Sequence, residues 1–221
     1  MIKGELKNII RSSLKLNEAV VSSLKSFSLK TEFLSQGNKD NHLELYKGYA
    51  NSSNEISAKL DSVDRSNVNS NHSNFRSLKI DEAYNQNGVF LHELYFENIS
   101  HLASKISMDS LSYMKLSNDF GTFDAWQKDF LACCQGSRCG WALTVYNIFT
   151  KKYQNVMIDL HSQSIPIGSI PIIVMDVWQH AYYRDYLKEV KVYASAMMKE
   201  LNWDVIEERI EMAEKIKRIT G

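Results

Sequence analysis

The chain has 221 residues, 44% of them hydrophobic, which is enough to bury a substantial core in one large or two small domains. Its 26 basic and 26 acidic side chains balance, so no net field favours nucleic acid or an anionic membrane as a partner. No apolar run reaches the ~18 residues needed to span a bilayer, so no membrane segment is predicted.

The N-terminal region carries a helical pattern. Apolar residues recur at three- and four-residue spacing over residues 2–26, which predicts one or two amphipathic helical pieces. Ser28 then offers an N-cap for a short helical turn that ends near Gly37. Because the opening stretch lacks the continuous apolar core of a secretory signal, we expect a cytoplasmic protein.

A helical hairpin is predicted next. Apolar spacing indicates a helix from residue 40 or 41 to residue 60, and a second helix over residues 80–105 that is interrupted near residues 87–88. Residues 62–74 between them are rich in Ser and Asn, which is typical of a solvated loop. We therefore expect an N-terminal helical hairpin domain over residues 1–106, with residues 1–27 as an atypical extension.

Three strands are predicted in the second half of the chain. Segments rich in Val, Ile, Leu and Tyr cover residues 141–150, 153–160 and 170–177. Lys151 and Lys152 lie where a tight hairpin turn must join the first two. The pattern favours an antiparallel three-stranded sheet.

Helices flank this sheet on both sides in the chain. One is expected from residue 122 or 124 through residue 134, and two more over residues 179–201 and 203–219, separated at Asn202. The predicted fold class is therefore α+β, with the helical hairpin followed by a C-terminal domain, residues 107–221, that holds the sheet and its flanking helices.

Three cysteines, Cys133, Cys134 and Cys139, lie close together in the sequence. Their odd number is a poor disulfide framework and fits buried thiols in a reducing compartment. A site for a soft metal is the alternative, although the spacing lacks the usual CxxC knuckle.

The string DVWQHAYY, from Asp176 to Tyr183, carries the strongest chemical signal. It places a carboxylate at the end of a buried strand and an imidazole, His180, four residues later at the start of a helix. Such a pair can converge on one divalent metal, and the ring of Trp178 can cover the site with apolar surface. The alternative is an Asp that caps a helix beside a hydrogen-bonded His. The string closely resembles the DVWEHAYY signature of iron/manganese superoxide dismutases, in which that Asp and that His are two of four protein ligands.

The resemblance implies two further ligands. Residues 85–96, NQNGVFLHELYF, resemble the second-helix motif of the family and make His92 a ligand, with a core His as the alternative. Residues 49–60 resemble the stretch that starts at the gateway Tyr of the first long helix. An ungapped alignment then puts Asn41 on the ligand position, whereas deletion of one residue brings in His42, which a regular helix keeps on the same face as Tyr49. We expect His42 to be the ligand, with a surface His as the alternative.

The implied activity is superoxide dismutation. Three imidazole nitrogens and one carboxylate suit a redox-active ion, whereas zinc cannot cycle between two oxidation states. The resemblance implies one Mn ion per subunit, with Fe as the alternative, and superoxide as the substrate that is converted to oxygen and hydrogen peroxide. Gly88, four residues before His92, and Gln163, which resembles a Gln that comes from the sheet, are both marks of the manganese type.

Further side chains are assigned around the metal by the same resemblance. Tyr49 is the expected gateway hydroxyl, with Tyr46 as the fallback, and Gln163 is expected beside the ion. Trp141, in a CGWAL string similar to the family's GSGWAW motif, and Trp178 are expected to wall the pocket. His161 is interpreted as a surface residue at the end of a strand.

Departures from the family pattern leave a second hypothesis open. Gln179 stands where the family has a Glu that bridges to the partner subunit, although we still expect a homodimer through the region of Gln179 and Tyr183. The alternative function is a catalytically silent structural or interaction protein on the same scaffold. The residue that faces the metal position, His42 or Asn41, discriminates between the two hypotheses.

Overall fold

The computed structural model describes residues 21–100 and 103–220 and places seven helices and three strands in them. In chain order these elements are α1 (Gln36–Ser62), α2 (Asn74–Ile99), α3 (Leu111–Phe120), α4 (Phe123–Gly136), β1 (Gly140–Asn147), β2 (Lys152–Asp159), β3 (Ser169–Asp176), α5 (Gln179–Tyr186), α6 (Val190–Met197) and α7 (Trp203–Thr220). Four helices thus precede the small sheet and three follow it, which confirms the predicted α+β class.

The sheet is antiparallel, in the order β2-β1-β3. Every residue of β1 is buried, as expected of a central strand with both faces covered. The register sets Trp141 of β1 directly opposite Asp176 at the end of β3. This pairing brings an aromatic wall and a carboxylate to the same edge of the sheet, and all three predicted strands form within a few residues of their expected bounds.

The helical hairpin forms, with different bounds. Helix α1 begins four to five residues earlier than expected because the Ser35 hydroxyl accepts from the Asn38 N–H and caps it. The loop over residues 63–73 is confirmed. The predicted interruption of α2 is wrong, since the helix runs through Gly88 unbroken. A Cβ at Gly88 would lie 2.8 Å from Cδ1 of Tyr49, so this glycine makes room for a neighbouring ring.

The N-terminal region differs from its prediction. Residues 1–20 of the expected amphipathic pieces lie outside the described part of the chain, and residues 21–30 are not helical. The Ser22 main chain instead pairs with the Asn54 side chain, which accepts from the Ser22 N–H at 2.8 Å and donates to its carbonyl at 3.1 Å. The short helical turn expected from Ser28 to Gly37 is also absent from this described stretch. Tertiary contacts therefore override local helix propensity here.

The C-terminal helices include one that was missed and one that is divided. Helix α3 was not predicted; the Glu207 carboxylate accepts from the main-chain N–H groups of Leu111 and Ser112 and so caps it from afar. The helix expected over residues 179–201 is two helices, because Leu187 turns the chain with a φ of 50°. Helix α4, capped by Thr122, and helix α7 after Asn202 are as expected. Among the described residues, none of the helices combines the length with the apolar character that crossing a membrane requires.

Candidate metal centre

Four side chains from both halves of the described chain meet at one point. His42 of α1, His92 of α2, Asp176 of β3 and His180 of α5 bring their ligand atoms within 4.8 Å of one another. The Nε2 atoms of the three imidazoles lie 3.0, 3.7 and 3.1 Å, in that order, from the same Asp176 oxygen, Oδ2. Three of the side chains are buried, whereas that of His180 is 27% exposed and marks the mouth of the site.

The hydrogen bond of His92 determines which of its ring nitrogens carries the proton. Its Nδ1–H donates to the Gly88 carbonyl at 2.5 Å. Its Nε2 is then unprotonated, and the lone pair of this atom faces the Asp176 carboxylate. This Nε2 has no hydrogen-bond partner among the described residues. A buried lone pair beside an anionic oxygen is repulsive unless a cation lies between them. These donors therefore fit a metal ion.

Burial keeps two of the imidazoles neutral. Desolvation lowers the pKa of His42, and it lowers the pKa of His92 to about 3. Burial alone would raise the pKa of Asp176, but the imidazoles of His180 and His42 hold it well below its usual range. Nitrogen donors around an ionised carboxylate are the form in which these groups bind a cation.

The carboxylate is held by a network behind it. Asp176 Oδ1 accepts from the Trp178 N–H at 2.9 Å, and its main-chain carbonyl accepts from the Tyr193 hydroxyl at 2.8 Å. The Tyr95 hydroxyl lies 3.0 Å from that of Tyr193 and donates to it, since the Tyr193 proton is already engaged. Both tyrosines are fully buried, so the end of β3 is fixed from the core side.

Contacts between α1 and α5 align two of the histidines. The Asn38 amide, one turn before His42, donates to the carbonyl of Ala181, which follows His180, at 3.1 Å. The Ser35 N–H donates to the Asp185 carboxylate at 2.9 Å. His42 is only 2% exposed, whereas the preceding Asn41 is exposed to solvent. The structure thus brings His42 to the cluster and leaves Asn41 outside it.

Aromatic rings surround the cluster. The ring centroids of Trp141 and His92 are 4.9 Å apart, Trp178 stacks on His180 at 5.7 Å, and Tyr49 lies 5.2 Å from His92. The structure therefore places all three expected wall and gateway residues beside the candidate ligands.

Tyr46, the fallback for the gateway, lies elsewhere. Its hydroxyl donates to Glu93 Oε1 at 2.8 Å and accepts from the Lys25 N–H at 3.0 Å. Burial is the main reason that the pKa of Tyr46 rises to about 12. Because its hydroxyl is fully engaged away from the cluster, Tyr46 is not suited to the gateway position.

Two sequence interpretations are corrected on the segment that follows β2. Gln163 is exposed on the surface, so it does not reach the cluster as expected. His161, interpreted as a surface residue, is 0% exposed and packs 4.8 Å from the ring of Tyr49 and 5.3 Å from that of Trp178. The reason is the left-handed backbone of Leu160, with a φ of 55°, which turns the next side chain inward. Strand alternation carries no signal for such a turn.

The hydrogen bond of His161 leaves one donor free. The Trp141 indole N–H donates to His161 Nδ1 at 3.0 Å, so the imidazole proton is on Nε2. Burial is the main reason that the pKa of His161 falls to about 4, which keeps the ring neutral. Its Nε2 has no hydrogen-bond partner among the described residues. Beside the candidate ligands, therefore, a neutral imidazole N–H is available to an oxygen atom.

Comparisons with known proteins point to one family. Residues 110–209 match the model for the C-terminal domain of iron/manganese superoxide dismutases. The chain is 39% identical over 173 residues to "Superoxide dismutase [Fe]" of Aquifex pyrophilus, which covers 77% of this chain and 80% of that protein. The same identity and coverage hold for the protein of that name from Aquifex aeolicus. It is also 36% identical over 130 residues to "Superoxide dismutase [Mn] 2" of Haloferax volcanii, covering 59% of this chain and 64% of that one.

Proposed function

The chain belongs to the iron/manganese superoxide dismutase family, and we infer that it converts superoxide to oxygen and hydrogen peroxide with a single Mn or Fe ion. The observation that carries this function is the convergence of three imidazole nitrogens and one carboxylate oxygen within 4.8 Å. When bound, Mn or Fe supplies one-electron redox chemistry between its divalent and trivalent states.

We propose that His42, His92, Asp176 and His180 hold the ion. The support is geometric, because two of the four side chains are oriented by partners outside the cluster. The Gly88 carbonyl orients His92, and the Trp178 N–H orients Asp176. Ligands that are fixed in advance lose little conformational entropy on binding.

The walls of the pocket account for selection of a small anion. Trp141 is fully buried, and Trp178 and Tyr49 are partly buried, so the approach to the cluster passes between rings and the 27% exposed edge of His180. We propose that this arrangement admits a substrate of two atoms and keeps bulkier reductants out. Tyr49, whose ring lies 5.2 Å from that of His92, is our candidate for proton delivery to the peroxide product.

We propose that His161 takes the position that the resemblance assigned to Gln163. Its free Nε2–H is a neutral donor that can hydrogen-bond an oxygen atom in the pocket. This replaces an amide donor by an imidazole donor without adding charge, because the pKa of His161 is low. The expected preference for Mn over Fe then depends on Gly88 alone.

The silent alternative loses its main support. It required Asn41 in place of His42 at the metal position, and Asn41 is exposed. The two hypotheses still differ in one measurable outcome, the rate at which the purified chain consumes superoxide.

Elemental analysis combined with a superoxide-consumption assay tests the proposed function. We expect near one Mn or Fe per chain and rapid consumption that is lost after chelation and restored by Mn²⁺ or Fe²⁺. Protein that stays empty or fills with zinc after growth in Mn- and Fe-rich medium, and that is inactive when reloaded, would refute it.

We also propose a homodimer that associates through the outer face of α5. Gln179 and Tyr183 lie one turn apart on this helix, both are exposed, and Tyr183 is 54% exposed. An exposed aromatic beside the mouth of the site is typical of an interface residue. Light scattering of the full-length chain should give twice the mass of one chain; a monomer at micromolar concentration would exclude this assembly.

We propose a reducing compartment, the cytoplasm, as the location. The three cysteines are free thiols in the structure, and burial raises the pKa of Cys133 to about 11, which makes it unreactive. If the free thiols are first blocked by alkylation in freshly lysed cells, later reduction should release no further thiol. A chain isolated with an internal disulfide would contradict this location.

A further inference from the structure

The side chain of Asn87 joins the helical hairpin to the loop that carries His161. Asn87 lies on α2 immediately before Gly88, and its Nδ2 donates to the main-chain carbonyl of His161 at 2.9 Å. The two residues are 74 positions apart in the chain, so this bond is a long-range tie next to the candidate metal centre.

The loop needs such ties because its backbone is strained. Leu160 and Ser164, on either side of His161, have φ values of 55° and 70°, in the left-handed region that non-glycine residues rarely adopt. Each such residue costs roughly 1–2 kcal/mol. The strained turn holds its shape through the Leu160 N–H, which donates to the Cys139 carbonyl at 2.7 Å, and through the bond from Asn87.

The same turn of α2 sets the position of two other site residues. The carbonyl of Gly88 accepts from Nδ1 of His92, and the missing side chain of Gly88 leaves room for the ring of Tyr49. Asn87 adds His161 to this set. Two adjacent residues of one helix thus fix a candidate ligand, the gateway ring and the free imidazole donor relative to one another.

We propose that Asn87 is a positioning residue: its amide fixes the imidazole of His161, and thereby the location of the Nε2–H donor in the pocket. This inference rests on the proposed function for its catalytic consequence. Its structural part, that Asn87 controls the His161 ring, stands independently of the activity. The hydrogen bond of Asn87 goes to His161 and not to a candidate ligand, so Asn87 acts through His161.

The indole of Trp141 reports on the His161 ring, because its N–H donates to His161 Nδ1 at 3.0 Å. In ¹⁵N NMR spectra of the zinc-loaded full-length chain, whose ion is diamagnetic, we expect Asn87→Ala to shift the Trp141 indole resonance and to speed its exchange with water. The near-isosteric Asn87→Asp should do the same, since its carboxylate repels the His161 carbonyl. The Trp126 indole, bonded to the Thr144 hydroxyl at 2.8 Å, is the internal reference.

A matched control is available on the same helix. Asn85 donates to the Asp81 carbonyl at 2.7 Å on the exposed face, so Asn85→Ala should leave the Trp141 resonance unchanged. An unshifted Trp141 resonance in both Asn87 variants would overturn the proposal, whether or not the chain is a dismutase. A shift in the Asn85 control as large as in the Asn87 variants would overturn it as well.

Turnover with superoxide supplies the second readout. We expect Asn87→Ala to lower kcat about ten-fold with metal content unchanged. If Asn87 acts through His161, the double variant Asn87→Ala/His161→Ala should be no slower than His161→Ala alone. Losses that multiply in the double variant would show an independent role for Asn87 and contradict the proposal.

Discussion

At the scale of single residues, the site depends on atoms that orient other atoms. The proposed ligand set is made of common side chains, and neighbouring groups fix the tautomers of two imidazoles in and beside it. The bond to the Gly88 carbonyl places the His92 proton on Nδ1 and leaves a free lone pair on Nε2. The bond from the Trp141 indole places the His161 proton on Nε2, which is then a donor. In the proposed site, identical imidazoles a few ångströms apart would therefore serve opposite purposes, one as a lone-pair donor to a metal and one as a hydrogen-bond donor.

Gly88 provides a stability prediction at this scale. A methyl group there meets the Tyr49 ring at 2.8 Å, and ring atoms close to the backbone cannot move aside cheaply. We expect Gly88→Ala to lower the free energy of unfolding by about 1–3 kcal/mol and to reduce kcat by displacing Tyr49.

Gly48→Ala is the control for this change. Gly48 is an exposed residue of α1, and a Cβ there meets nothing within 4 Å, so alanine should gain about 0.5–1 kcal/mol in urea unfolding. If both glycine variants were equally stabilised, the close packing of Tyr49 on Gly88 would be wrong.

At the scale of elements, the centre is assembled by how helices and strands dock. Helices α1 and α5 come from opposite halves of the sequence, and Asn38 of α1 and its N-cap Ser35 hold them together next to His42 and His180. The register of β1 against β3 places Trp141 opposite Asp176. Each element thus contributes its part of the site through the contacts that also stabilise the fold.

Asn38 is where we expect the docking of α1 on α5 to be most sensitive. Asn38→Ala removes a buried hydrogen bond and leaves the Ala181 carbonyl without that donor, which should cost about 1–3 kcal/mol of stability. By loosening His42 relative to His180, it should also weaken metal binding about ten-fold in a competitive titration.

Asn41→Ala is the matched variant for this experiment, because Asn41 is on the same helix, adjacent to His42, and exposed. It should change neither stability nor metal affinity. Equal losses in the two variants would mean that the asparagine at position 38 does not align the ligand helices.

At the scale of the whole molecule, a bound ion would join both halves of the chain. Two of the candidate ligands come from the helical hairpin and two from the part that contains the sheet. The division at residues 106 and 107 into two domains stays a prediction, but an ion held by both parts ties them together whatever their boundary.

Metal removal should therefore destabilise the whole chain. An ion that binds only the folded state and is present at about 1,000 times its Kd contributes about 4 kcal/mol. We expect chelation to lower the melting temperature clearly, Mn²⁺ or Fe²⁺ to restore both stability and activity, and Zn²⁺ to restore stability alone. An unchanged melting temperature after complete metal removal would contradict a bridging site.

Much of this architecture is predictable from sequence, for identifiable reasons. The three strands and α4 carry strong local signals, and Asp176 with His180 lies in a motif whose spacing is set by a single strand end. The start of α3 has a local N-cap in Ser110, whose hydroxyl accepts from the Tyr113 N–H, but the further support from the distant Glu207 carboxylate is a contact that no local pattern encodes. The placement of His161 was missed for a similar reason, since it follows from a left-handed Leu160 that needs no glycine.

The most direct test of the central claim is anomalous X-ray diffraction from crystals of the purified chain, recorded at the Mn and Fe absorption edges. The account predicts one anomalous peak per chain, bounded by the Nε2 atoms of His42, His92 and His180 and a carboxylate oxygen of Asp176. A fully occupied peak elsewhere, or a peak at this point with the His42 side chain turned away from it, would contradict the account.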